Sequence, residues 1–219
     1  MGEAASTTTP RERYRQQVRS EIKERAWEQI TAAGTSALSL NGIARLMGLS
    51  GAGLYRYFTS RDELLTELIH DAYQSLVGTL RTATAQGKGD LSGLGQTLRM
   101  WALDDPQRYF LVYGPPVPGY RGAADVAALA AEIMDILTDA CADVPDVPDA
   151  PVITPGAPLE DGSGRSVGRA GTASAQRLAL SFRTRLHGVL SLELSGHLAG
   201  MECDPALLYQ AELDLLAAH

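Results

Sequence analysis

No apolar run in the chain reaches the ~20 residues that a membrane-spanning helix needs. Its first ten residues, Met1 to Pro10, are polar and have no apolar core of the signal-peptide kind. No membrane partner is expected, and the expected location is cytoplasmic. Cysteine is scarce. Cys141 and Cys203 make no paired-ligand spacing, which leaves buried reduced thiols as the expectation. His70, His187, His197 and His219 have no partner at i, i+4 and no clustered carboxylates, so no metal site is expected. Gly87-Lys88-Gly89 is no phosphate loop, because no Ser or Thr follows the Lys and the glycine spacing is wrong. Gly162-Ser163-Gly164 lies in a low-complexity stretch with no strand before it. No nucleophile–base set is evident. The reading is therefore of a protein that is not an enzyme and needs no cofactor. Alternating strand patterns are missing too, which points to an all-α fold.

The 219 residues carry a net charge of −7, but the charge is unevenly spread. Residues 1–61 hold nine Arg and Lys against five Glu, a local +4, and the remainder carries −11. A basic N-terminal module on an acidic body suggests where a polyanion would dock.

Apolar positions recur with a period near 3.6 along most of the chain. A first helix is expected from Thr9-Pro10-Arg11-Glu12, a capping box with Pro in the first turn. Val18, Ile22, Ala26, Ile30 and Ala33 share one face of it, beside Trp27, and Gly34 stops it. Two short helices follow, roughly 40–47 and 50–57. Ser60-Arg61-Asp62-Glu63 reads as a second capping box opening a long helix. Further helices are expected near 91–103, from Asp105-Pro106, over 122–141, over 173–199 and from Asp204-Pro205. Residues 144–172 are rich in Pro, Gly and Asp and read as a mobile loop.

The stretch Ser39 to Phe58 is the most informative. Ser39 can cap a short helix whose inward face is Ile43, Ala44 and Met47. Gly48 can take positive φ and allow a sharp turn. Leu49 plugs the corner, Ser50 can cap the second helix, and Leu54 and Phe58 face inward. Gly51, Ala52, Gly53, Tyr55, Arg56 and Tyr57 are left outward. This is the helix-turn-helix arrangement.

Residues 39–65, ending Tyr55-Arg56-Tyr57-Phe58-Thr59-Ser60-Arg61-Asp62-Glu63-Leu64-Leu65, closely resemble the N-terminal domain of the TetR (tetracycline repressor) family. The usual Lys after the Phe turn is Arg61 here. The resemblance implies a helix-turn-helix domain over 1–59 and a helical ligand-binding and dimerisation domain over 60–219. It implies that Tyr55, Tyr57 and Arg61 lie against phosphates of double-stranded DNA, aided by Ser39 and Ser50 from helix N-termini. Residues 51–53 and Arg56 would then face the groove. Packing aromatics at Tyr55 and Tyr57, and a solvated charge at Arg56, are the alternatives. Gly51-Ala52-Gly53 offers almost no side chain, so specificity would lean on Arg56, on the basic arm Arg11, Arg13 and Arg15, and on DNA shape.

Asp105 to Tyr120 and Leu186-His187-Gly188 to Leu194 resemble the regulatory domain of one TetR subgroup, known by a Trp-His-Gly signature. No Trp precedes His187 here; the upstream aromatic is Phe182. The resemblance implies a homodimer in which the last two helices form a four-helix bundle across a two-fold axis. Leu186, Val189, Leu190, Leu194 and Leu198 make one stripe, and Leu207, Leu208, Leu215 and Leu216 another. Gly188 and Gly196 would allow close helix approach; an ordinary core stripe is the alternative. A small, mostly apolar effector is expected inside the helical body, with Trp101, Phe110, Tyr113, Met134 and His187 as candidates for either its contacts or plain core. The function this implies is a repressor released from a palindromic operator by its ligand. An activator, or a regulator without ligand, is the rival reading.

Overall fold

The computed structural model describes residues 9–114, 124–142 and 173–218, and among them it is helical with no strand. The segment 144–172 lies outside the described residues. The chain divides into two compact units, and the division falls between Leu68 and Ile69.

In the first unit, α1 (Pro10–Ala33) starts as its sequence dictates. Thr9 Oγ1 accepts from the Glu12 N–H at 3.3 Å, and Glu12 accepts from the Thr9 N–H at 2.8 Å. Val18, Ile22, Ala26 and Ile30 are buried, whereas Ala33 at the frayed end is exposed. Gly34 ends the helix at φ +76°, the left-handed region that glycine enters without strain. A 3-10 turn (Thr35–Ala37) leads to α2 (Leu40–Leu46) and α3 (Gly51–Leu54). Both α1 and α3 pack on α2. The unit ends with the first turns of α4 (Arg61–Ala85).

The start of α4 departs from the expected capping box. The Glu63 N–H does donate to Ser60 Oγ at 3.0 Å, but the Glu63 carboxylate accepts from the Thr59 N–H and hydroxyl, both at 2.6 Å. The reciprocal half of the box is thus displaced by one residue. These bonds hold the Glu63 carboxyl below its ordinary pKa.

The second unit contains the rest of α4, then α5 (Leu91–Asp104), α6 (Pro106–Tyr113), α7 (Ala124–Asp139), α8 (Ala173–Leu194) and α9 (Pro205–Ala217). Asp90, Asp105 and Asp204 cap α5, α6 and α9 through their carboxylates, the last two with Pro in the first turn. α8 packs on α5, α7 and α9, and α5 on α6 and α9. The core includes Leu76, Leu80, Leu94, Leu98, Phe182 and Leu213.

Three expectations need correction here. Cys141 is a buried free thiol, its pKa pushed up to about 11 by burial, but Cys203 is exposed. α8 stops at Leu194, so Gly196, at φ +75°, serves a turn and not a helix contact. Leu186, Val189 and Leu190 of the α8 stripe are buried in the chain's own core; the large apolar side chains left exposed on α8 and α9 are Leu192, Leu207 and Leu215. Within the chain, helices approach closely at Gly95 of α5, where a Cβ would stand 2.6 Å from a Leu213 methyl, and Tyr209 donates to the Gly95 carbonyl at 2.7 Å. Gly188 has open space where its Cβ would be.

Candidate nucleic-acid interface and ligand cavity

The outward presentation of α3 is built residue by residue. Gly48 has φ +66°, and the Leu49 N–H donates back to the Ala44 carbonyl at 2.9 Å, closing the turn after α2. Ser50 Oγ accepts from the Gly53 N–H at 3.0 Å, and Ser39 Oγ accepts from the Gly42 N–H at 3.2 Å. Each hydroxyl keeps its own proton for an outward acceptor. Leu54 and Phe58 are fully buried and pin the segment from beneath. Ala52, Tyr55 and Arg56 are exposed, and Gly51, Gly53 and Tyr57 half-buried. Regular helix covers only Gly51–Leu54, shorter than the expected 50–57. The two glycines explain this, since neither offers a side chain to shield the backbone. Arg11, Arg13 and Arg15 are exposed along the first turns of α1, as is Tyr14.

Arg61 has partners of its own. Its guanidinium donates to the carbonyls of Leu38 (3.1 Å) and Thr35 (2.7 Å), tying the start of α4 to the entry of α2. An Arg can do this and keep donors free, because its fork carries five N–H groups.

Spacing and periodicity do not single out Arg19. Its guanidinium donates to the Tyr57 carbonyl, pairs with Glu67 and lies 4.1 Å from the centre of the Phe58 ring. It thereby fastens α1 to the segment after α3 and to α4. A carbonyl acceptor 38 residues away leaves no mark on local sequence pattern.

In the second unit a cavity opens between α4, α5, α6, α7 and α8, and ten of the described side chains line it. Of the five candidates, it brings together Tyr113 and His187, whose ring centres are 3.9 Å apart. Trp101, Phe110 and Met134 do not line it. Trp101 is buried, donates to Ser75 Oγ at 3.1 Å and carries the Arg108 guanidinium over its ring. Phe110 packs edge-on against Tyr109. The lining residues missed by the sequence reading include Phe182, Arg183 and Leu137. His187 Nδ1 lies 3.2 Å from the Tyr109 hydroxyl, which is also within 3.2 Å of the His187 carbonyl. Burial, with a smaller push from Arg183, lowers the His187 pKa to about 3, so the ring is neutral at pH 7. Burial raises the Tyr109 and Tyr113 hydroxyl pKa values above the usual phenol range.

Comparison with known proteins supplies the remaining findings. Residues 22–68 match the family described as bacterial regulatory proteins, tetR family, and residues 91–216 match the tetracyclin repressor-like C-terminal domain. The chain is 32% identical over 216 residues to the HTH-type transcriptional regulator Rv1816 of Mycobacterium tuberculosis, covering 93% of this chain and 92% of that one. It is 54% identical to SCO4313, whose crystal structure superposes with a TM-score of 0.83 over 96% of this chain and 100% of that one. The TetR family regulator PfmR of Thermus thermophilus, at 21% identity and a TM-score of 0.54 over 90% of this chain and 97% of that one, shares the fold.

Proposed function

The chain belongs to the TetR family of DNA-binding transcriptional regulators, and on that premise we propose that it is a dimeric repressor released from a palindromic operator by a small molecule. The observation that carries the proposal is the presentation of α3: capped by Ser50, anchored by Leu54 and Phe58, with Ala52, Tyr55 and Arg56 turned to solvent. A helix held in this way can enter a major groove. Ser39, Ser50, Tyr55, Tyr57 and the spare donors of Arg61 serve as phosphate contacts that set register, while Gly51, Ala52, Gly53 and Arg56 approach base edges.

Pairing through α8 and α9 gives the two recognition helices their spacing of ~34 Å on a pseudo-palindrome. The exposed Leu192, Leu207 and Leu215 on these adjoining helices support that pairing, because large apolar side chains at i, i+8 on one helix make a ready seam. The cavity in the second unit is the effector site. A ligand there acts by binding one spacing of the two DNA-reading units better than the other. The continuous helix α4, which begins in the first unit and supplies Leu76 and Leu80 to the cavity, is the lever.

The test combines mass and affinity. Sedimentation should give a dimer for the wild type and a monomer for Leu207→Glu/Leu215→Glu, with operator affinity reduced at least tenfold. A double variant that stays dimeric would place the interface elsewhere. A monomeric wild type that still binds the operator tightly would contradict the dimeric mechanism.

A further inference from the structure

We propose that the effector is an amphiphilic acid, its single carboxylate paired with the Arg183 guanidinium beside Tyr113 and His187 and its apolar body lying among the leucines of α4 and α5. The proposal rests on the reading that this cavity is the effector site.

Among the described residues that line the cavity, Arg183 is the only charged one. Its guanidinium lies 5.9 Å from the centre of the Tyr113 ring. Among the described residues it has no carboxylate partner. Other partly buried arginines of this chain are neutralised: Arg99 by Glu193 at 2.8 Å, Arg108 by Asp104 at 3.1 Å, and Arg19 by Glu67. A cation taken partly out of water without a counter-charge carries a desolvation cost that an anionic ligand would offset.

The rest of the lining selects the kind of anion. Leu76, Leu80, Leu94, Leu98 and Ile133 offer only hydrocarbon. One guanidinium fork matches one carboxylate through two parallel N–H···O bonds. A doubly charged phosphate ester would meet no second cation among the described lining residues, since the His187 ring beside Arg183 is neutral. With the Tyr109 O–H donating to His187 Nδ1, the neutral ring carries its one proton on Nε2, which has no bond among the described residues and can donate to the head group. The enclosed space is barely enough for one water molecule. A ligand therefore enters by displacing a side chain. The Tyr113 ring, tilted against His187 and only half-buried, is the candidate for that displacement.

Calorimetric titration of the full chain with two matched pairs tests this: octanoate against 1-octanol, and 4-phenylbutyrate against 4-phenylbutanol. The pairs separate an aliphatic from an aromatic source of the same head group. The wild type should bind the acid of at least one pair tenfold or more tightly than its alcohol. In Arg183→Met that ratio should fall to within about twofold, and in Arg183→Lys, which keeps the charge and loses the fork, it should be intermediate. Should the Met variant not melt cooperatively, the wild-type ratio and the Lys variant decide. Equal binding of acid and alcohol by the wild type overturns the acid while leaving the effector cavity standing. An acid preference that survives Arg183→Met overturns it as well, by locating the head group elsewhere. Failure of all four compounds to bind overturns the cavity reading together with the proposal.

Discussion

Arg56 is the one charged side chain on the outward face of the recognition segment, which otherwise presents Gly51, Ala52, Gly53 and two tyrosines. If it reads a base edge, Arg56→Ala should weaken operator binding by about 1–3 kcal/mol while leaving affinity for random duplex nearly unchanged. Equal losses on both would reassign it to a phosphate. His187 gives a second, independent expectation. Its imidazole protonates near pH 6.5 in the unfolded chain but only near 3 in the folded one. Between those values the unfolded state binds more protons, so acid favours unfolding. The stability that the neutral ring contributes is complete above pH 6.5 and is lost as pH falls toward 3. Denaturant melts at pH 7 and pH 4.5 should therefore diverge for the wild type by about 2 kcal/mol more than for His187→Gln. Parallel losses in the two proteins would show that other groups drive the acid response.

Elements show where local chemistry decides the fold and where it does not. The caps at Thr9, Ser39, Ser50, Asp105 and Asp204 were legible because each is completed within three residues by a backbone N–H. Leu54 and Phe58 were legible because a spacing of four puts both on one side of a helical turn. What depends on distant partners was not. The α8 stripe of leucines reads identically whether it faces its own core or a second copy, and burial assigns Leu186 and Leu190 to the core. The anchoring of Arg61 on Thr35 and Leu38, and of Arg19 on Tyr57, joins positions more than twenty residues apart. In the cavity, Tyr113 and His187 stand out by residue type, while nothing in the local sequence pattern singles out Arg183. The α5–α9 contact hinges on Gly95 in the same unforeseen way. Gly95→Ala forces a methyl against the Leu213 side chain and should cost about 1–3 kcal/mol in thermal or denaturant unfolding. An unchanged or higher Tm would mean that α9 yields freely at this point.

For the molecule as a whole, function follows from division of labour between the two units. The sequence through Arg61 is basic while the remainder is strongly acidic, so a polyanion is drawn to the DNA-reading face and repelled by the body. In the proposed mechanism the body in turn supplies the exposed leucines of α8 and α9 for pairing and the cavity for the effector. Selection of genomic fragments by the purified protein, at about 0.15 M salt and in excess bulk competitor, tests this most directly. The expected result is a pseudo-palindrome whose half-sites lie about one helical turn apart and which binds two protomers. Recovery of no fragment in preference to the competitor would contradict the account.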